Sequence, residues 1–472
     1  MNRAARGRPS SPSGAPGGSG GRSSSAQRRP SRSGASGGAR AELHIQELAA
    51  GGAGVARTAQ GEVVFVAGAA PGDHVEVEID RAARPARGRV LRVIAAGPGR
   101  VEPPCSFAQR CGGCDWMHLA PGAQQAAHAA IVRQAIAREV PASELPEIRV
   151  HAAPLSLGYR TRARLFAKSA RSGEVRVGYR APGTHELAEV SRCLVVNDAL
   201  GPLFAELPAL LRGARGEGDV LVAQGQGGRP VVEIAWRGEL APETWRLLDA
   251  RVAEGAWAGA RVALSGAARP ASFGDPRPVI QGADGAPLTL APGGFGQPSE
   301  EGASVLARRV AELAWVDAPA RPLHVVELFA GSGTLSILLA RGPSEAGAGL
   351  GSFVAVEQVP EAVACLRDNL AARGLSGKAV AADADAYPIP ARADLVVLDP
   401  PCGGAPGAAA AIAASGARAA VYVSCNPATL GRDLARLTAG GLTMTHIEAV
   451  ELFPQTSHVE VVVRLARLRR PR

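Results

Sequence analysis

The sequence predicts an α/β protein in three parts: a small N-terminal β-barrel, a central α+β segment and a C-terminal doubly wound domain. Three observations carry this. From about residue 320, apolar runs at 324–329, 353–357, 395–399 and 420–423 alternate with helical stretches, the pattern of a parallel sheet with crossover helices. Before residue 100, short strands at 42–48, 63–66, 74–79 and 88–94 are divided by glycine-rich turns, the pattern of a small closed barrel. The chain has 472 residues, too many for one ordinary core, so two or three domains are expected. The boundaries read as a basic disordered tail at 1–40, the barrel at 41–98, the central domain at 99–290, the C-terminal domain at 291–465 and a second basic tail at 466–472.

The formal net charge of +9 sits in the tails. Residues 1–40 hold eight arginines and no acid, and the last nine residues hold five more. Without them the bases are fewer than the 43 acids, so the folded middle is slightly acidic. Gly, Ser, Pro and Arg dominate the first tail, a composition that buries too little apolar surface to fold. Such tails neutralise phosphates without reading sequence. No run reaches the length of a membrane span and the N-terminus lacks a signal-peptide core, so a cytoplasmic monomer is expected. Seven cysteines, an odd number in a long chain, read as metal binding or catalysis rather than a disulfide framework.

In the barrel, Ala70-Pro71-Gly72-Asp73-His74-Val75-Glu76-Val77 resembles the TRAM domain, a small OB-like RNA-binding barrel. The central segment predicts a helix near 124–138 and a strand at 159–166. Arg160, Arg162 and Arg164 alternate along that strand and so share one face, which suits either a phosphate backbone or solvent.

The C-terminal domain carries the ligand signals at strand ends, where open sheets bind. Glu327-Leu328-Phe329-Ala330-Gly331-Ser332-Gly333-Thr334 turns from the first strand into a helix. Gly331 and Gly333 let the backbone approach a ligand. Glu357 ends the second strand, where an acid accepts from ribose hydroxyls, and Asp383 would end the third, near an adenine. With Asp399 ending the fourth, this short glycine turn favours S-adenosylmethionine over a dinucleotide, which prefers the longer glycine fingerprint.

Cys425 follows the apolar run 419–423 directly, and Pro427 stiffens the loop behind it. C5 of a pyrimidine becomes nucleophilic once a thiolate adds to C6, and a base must later take the C5 proton. Cys425 supplies the thiol and Glu460, opening the last apolar strand, supplies the carboxylate. Ser424-Cys425-Asn426-Pro427-Ala428-Thr429-Leu430, and Phe453-Pro454 with Thr456, His458 and Glu460, resemble the two terminal signatures of the RNA uracil-5-methyltransferases. Phe295-Gly296-Gln297 resembles that family's Phe-x-Gln motif. The resemblance implies a class I S-adenosylmethionine methyltransferase domain, Cys425 as nucleophile and Glu460 as base. It also implies that Gln297, Phe329, Glu357 and Asp399 line the cofactor and target-base site. Glu451 is a rival base without a motif, His458 reads as orienting its loop, and Cys365 reads as helix packing. Cys402 stands where the family usually has arginine, which removes a cation from the site.

Cys105, Cys111 and Cys114, with the distant Cys193, suit a tetrahedral zinc or a cubane cluster by spacing. The resemblance selects a [4Fe-4S] cluster and the ribosomal-RNA branch of the family, making the expected partner RNA. Transfer RNA is the alternative substrate, cytosine-5 methylation the second enzyme reading, and a catalytically silent ribosome-assembly factor the non-enzyme reading.

Overall fold

The computed structural model describes residues 39–343 and 349–467; the rest of the two expected basic tails, 1–38 and 468–472, lies outside them. The inner two residues of each expected tail are among the described residues. Ala39 and Arg40 already belong to the first strand, Ala39–Leu48, and Arg40 reaches Glu76 at 3.9 Å. At the other end the last strand runs to Ala466, and the Arg467 guanidinium donates to the carbonyls of Ala417, Gly440, Ala413 and Ser415.

Five strands close the N-terminal barrel in the order Ala39–Leu48, Gly54–Arg57, Val63–Ala67, Ala86–Ala95, His74–Asp80. Alternate residues fill it: Leu43 and Ile45, Val64 and Val66, and Val75, Val77 and Ile79, as the two-residue period of a strand requires. Asp73, in the Pro71-Gly72-Asp73 turn, locks the rim. It is fully buried and accepts from the Ala70 and Gly97 amides at 2.6 and 2.8 Å, and from Arg100 Nη2 at 2.6 Å. The TRAM-like phrase therefore has a structural cause in this acid.

The central segment builds a seven-stranded mixed sheet. Helices Leu203–Leu210 and Pro242–Ala253 cover it through Leu203, Phe204, Leu207 and Leu248. The predicted arginine face does not form. The strand begins at Arg162, Arg160 lies before it against the rings of Tyr159 and Phe453, Arg162 donates to the Gly294 carbonyl, and Arg164 pairs with Asp219 at 3.5 Å.

The C-terminal sheet orders its strands Lys378–Ala381, Leu350–Glu357, Leu323–Leu328, Leu395–Leu398, Ala419–Ser424, Glu460–Ala466, Thr443–Val450 and Ile148–His151. The first five are parallel and Glu460–Ala466 is antiparallel to both its neighbours. Helices cover both faces, giving two cores, around Leu328, Leu398 and Tyr422 on one side and Val325, Val397 and Val421 on the other. The boundary expected at 290 does not coincide with a change in packing. Ile148–His151 pairs with Thr443–Val450, and the hairpin bearing Ile280 and Leu288 packs into the C-terminal core. From Ala39 onward the chain packs as one unit, because segments of the centre complete a sheet that would otherwise end in an open edge.

Burial pushes the Asp73 carboxyl up, but hydrogen bonds from Arg100, Gly97 and Ala70 outweigh it and hold its pKa below the ordinary 3.8. Its stabilisation is therefore complete above the unfolded value and lost as pH falls through the folded one. Asp73→Ala is expected to cost about 3–5 kcal/mol at neutral pH by leaving the Arg100 charge without a counter-ion and the Ala70 and Gly97 amides without their acceptor. Urea unfolding should show that deficit shrinking as pH drops below the usual carboxylate range.

Candidate active site

The strand Leu323–Leu328 lies between Leu350–Glu357 and Leu395–Leu398, where the strand order reverses; an open α/β sheet leaves a ligand crevice there. Phe329 leaves this strand at φ 60°, a left-handed conformation that a bulky residue adopts only where its surroundings impose it. Gly331 and Gly333 follow at φ 54° and 101°. A Cβ on Gly333 would stand 2.8 Å from Leu366, so glycine serves both the dihedral and the close approach. Glu357 braces the turn, its Oε2 accepting from the Gly331 amide at 3.0 Å and its Oε1 from the Val359 amide at 2.8 Å.

Gln297 comes from the loop before helix Glu300–Trp315, a loop tied to the glycine turn by the Ala291 amide donating to Ser332 Oγ at 3.1 Å. Its side chain is buried and Oε1 has no partner, while Phe295 nearby is 72% exposed. A buried carbonyl oxygen left unpaired costs about 1–3 kcal/mol, which a ligand N–H would recover. Asp383 is exposed after strand Lys378–Ala381, and its Oδ1 accepts from its own Asp385 amide at 3.0 Å. This is a local Asx turn facing solvent.

Cys425 occupies the single step between a strand and a helix. Strand Ala419–Ser424 ends before it, and Asn426 caps helix Pro427–Ala439, its side chain accepting from the Ala428 amide at 3.1 Å, with Pro427 in the first turn. The antiparallel register pairs Ser424 with Val461. Cys425 follows this last pair on one strand and Glu460 precedes it on the other, so both stand at the same end of the sheet, close enough for the Glu460 charge to act on the thiol. Leu398 pairs with Tyr422 in parallel, so Asp399 emerges at the same sheet end. Glu460 is 3% exposed, and its Oε2 has no hydrogen-bond partner.

The electrostatics favour uncharged forms. Burial pushes Asp399 up to about 7. Burial, reinforced by Asp399, holds Glu460 well above the carboxylate range. Burial first, then contact with the Cys402 side chain and the nearby Glu460 and Asp399, drives the Cys425 thiol far above its ordinary value. A carboxylate raised in this way is a stronger base once ionised. The Cys402 loop is pinned to the nucleophile's helix, because Asn426 Nδ2 and Thr429 Oγ1 donate to the Cys402 carbonyl at 3.1 and 3.2 Å.

Sequence reasoning quoted two acids, Glu327 and Asp433, within its motifs without giving either a role. Glu327 lies beneath the glycine turn, raised by burial to about 8 while accepting from the Ser336 hydroxyl at 2.5 Å. An acid inside an apolar strand was the available signal. Asp433 accepts from the Tyr422 hydroxyl at 2.7 Å and the Ala405 amide at 2.8 Å, fixing the far end of the Cys402 loop. The rival base Glu451 is buried against His128 at 3.0 Å. His458 is exposed with its ring 5.9 Å from that of Phe453, and Cys365 is buried in helix Pro360–Ala371.

The remaining four cysteines lie apart from this site. Cys105, Cys111, Cys114 and Cys193 line one cavity together with Arg160 and Tyr179. Burial raises Cys111, and raises Cys114 to about 12, while Arg160 pulls both down. All four thiols are free, and the Tyr179 hydroxyl donates to Cys193 Sγ at 3.9 Å. Among the described residues no three His, Cys, Asp or Glu side chains form a group that could hold a metal ion. The cavity thus offers a four-sulfur donor set and a cation without a compact single-ion site.

Comparison with known proteins agrees with this architecture. Residues 37–91 match the TRAM domain. The 23S rRNA (uracil(1939)-C(5))-methyltransferase of Chromohalobacter salexigens is 35% identical, over 90% of this chain and 89% of its own. The protein of the same name from Halomonas elongata is 33% identical over 90% and 89%. The crystal structure of Pyrococcus abyssi tRNA (uracil-54, C5)-methyltransferase with S-adenosyl-L-homocysteine shares the fold, at TM-score 0.69 and 20% identity over 90% of this chain and 99% of that one. A sheet that brings a thiol, a carboxylate and a glycine turn to one end, in a chain matching such relatives almost throughout, belongs to the family of RNA uracil-C5-methyltransferases.

Proposed function

We propose that the protein methylates C5 of a uridine in 23S ribosomal RNA, with Cys425 as nucleophile and Glu460 as base. The observation that carries this reading is that Cys425 and Glu460 flank the last register pair, Ser424 with Val461, at the sheet end beside the crevice. A uracil stacked in a helix is out of reach of this thiol, so the target enters unpaired or flipped. Cys425 adds through sulfur to C6, which makes C5 nucleophilic. S-adenosylmethionine, when bound, supplies the electrophilic methyl group. Glu460 then takes the C5 proton, the C6–S bond breaks and the thiolate is released. Gln297, Phe329, Gly331, Gly333, Glu357 and Asp399 hold the cofactor and target base, with Asp383 at the outer edge. The unpaired Gln297 oxygen suits a donor group of the cofactor. Seven free thiols fit a reducing compartment, and we place the enzyme in the cytoplasm. Among the described residues no helix is long and apolar enough to cross a membrane.

The relatives from Chromohalobacter and Halomonas support ribosomal RNA over transfer RNA, since both carry that substrate in their names. We also assign the four-cysteine cavity to a [4Fe-4S] cluster held by Cys105, Cys111, Cys114 and Cys193. Four thiols lining one cavity are the donor set that such a cluster takes. Arg160 offsets the charge of the thiolates. Methyl transfer moves no electron from the centre, so its part is structural.

Three outcomes follow from these assignments. Tritium release from RNA labelled at uracil C5 should vanish in Cys425→Ala, and undiminished release would remove Cys425 from the chemistry. Replacing Cys402 by arginine puts a cation beside a thiol whose pKa is raised, so the thiolate gains. Iodoacetamide labelling of Cys425 at pH 7.5, mapped by mass spectrometry, should quicken roughly tenfold for each pKa unit recovered. Anaerobic reconstitution should load about four irons per chain with broad visible absorbance, whereas stoichiometric zinc without iron would overturn the cluster assignment.

A further inference from the structure

The loop between the last two strands carries the base, yet it is held from outside the C-terminal sheet. Pro454, Gln455, Thr456 and Ser457 each make a hydrogen bond to the segment 115–159. The Tyr159 hydroxyl donates to the Pro454 carbonyl at 3.2 Å, and the Trp116 amide to the Gln455 carbonyl at 3.0 Å. Gln124 and Gln455 exchange a reciprocal pair: the Gln455 amide donates to Gln124 Oε1 at 2.9 Å, and Gln124 Nε2 donates to Gln455 Oε1 at 3.2 Å. His128 Nε2 contacts the Thr456 carbonyl at 3.1 Å while Nδ1 faces Glu451 at 3.0 Å. The Ser457 amide donates to Asp115 Oδ1 at 2.9 Å. Gln124 and His128 stand one turn apart on helix Pro121–Ala137, and both are buried.

These contacts have work to do. Gln455 adopts φ 71°, a strained conformation costing on the order of 1–3 kcal/mol for a non-glycine residue. Its amide, carbonyl and side-chain oxygen are all engaged by Trp116 and Gln124, which over-determine that conformation. Glu460 follows five residues later at the first position of its strand, and its Oε2 has no partner. A carboxylate oxygen without a hydrogen bond is aimed by its backbone and by the packing around it rather than by a polar partner. On one side that backbone is fixed by the sheet, and on the other by this loop.

We infer that Gln124 and His128 are positioning residues for proton removal, holding the 454–457 loop so that the free Glu460 oxygen meets C5. This rests on the reading of Glu460 as the base. In the affected step the C5 proton passes to Glu460, the electrons of the C5–H bond form the C5=C6 double bond, and the C6–S pair returns to Cys425. Thiol addition and methyl transfer come earlier and do not need the clamp. A loosened clamp therefore leaves methylated RNA bound to Cys425.

The test uses the full chain with a uridine-containing ribosomal RNA fragment, in Gln124→Met, Gln455→Met and the double variant. Single-turnover tritium release measures proton removal, and denaturing gels measure the covalent RNA adduct. Release should slow roughly tenfold to a hundredfold, the adduct should rise severalfold, and S-adenosylmethionine affinity by calorimetry should stay within twofold. The double variant should match the singles, as expected for residues acting through one another. Asp115→Ala, at an exposed site, should give a smaller change in the same direction and covers the case in which a buried variant does not fold. Release and adduct falling together, or neither changing, would overturn the inference. Glu460→Gln separates the two levels: if it accumulates no adduct the base assignment fails, and if it does while the Gln124 and Asp115 variants do not, only the clamp fails.

Discussion

Antiparallel pairing of Ala419–Ser424 with Glu460–Ala466 underlies the site, because its last pair, Ser424 with Val461, brings the Cys425 thiol and the Glu460 carboxylate to one end of the sheet. No bond between the two side chains is needed, so Glu460 keeps an oxygen free. A slip of one residue would send both groups to opposite faces. The cores on either side prevent it: Tyr422, Val423, Val461, Val462 and Val463 are all fully buried. The apolar packing that stabilises the sheet thus also sets the geometry of the reaction.

The same packing desolvates the acids it brings together. Glu327, Asp399 and Glu460 are all raised primarily by burial and secondarily by one another or by a neighbouring acid where one contributes. Gathering ionised carboxylates there would cost far more than gathering neutral ones. A sulfonium cation entering this crevice changes that balance by favouring the ionised forms. Binding of such a cation and ionisation of these acids then favour each other by the same factor.

Much of this was legible in the sequence, for physical reasons that differ by element. The parallel strands announced themselves as apolar runs because both faces of the sheet are covered. The Cys425 loop was legible because a cap, a proline and a thiol in succession admit few conformations. The antiparallel end of the sheet was not, since pairing partners are set by tertiary packing and Ile148–His151 joins from more than 290 residues away in the chain. The arginines at 160, 162 and 164 misled because alternation holds only within a strand, and the strand starts at Arg162. Gln124 and His128 left no signal: a glutamine and a histidine on an alanine-rich helix read as surface until the loop they hold is seen beside them.

That loop explains why the N-terminal modules cannot be treated as attachments. Gly52 of the barrel accepts from Trp116 Nε1 at 3.0 Å, and a Cβ there would stand 2.0 Å from Asp115 and 3.2 Å from Ser457. With φ at +86°, no other residue suits the position. The barrel, the segment leading out of the four-thiol cavity and the loop before Glu460 therefore meet at one point. Arg160 extends the contact from the cavity wall to the Phe453 ring. The clamp proposed for the 454–457 loop thus draws on the barrel and the central segment as well as on the C-terminal sheet.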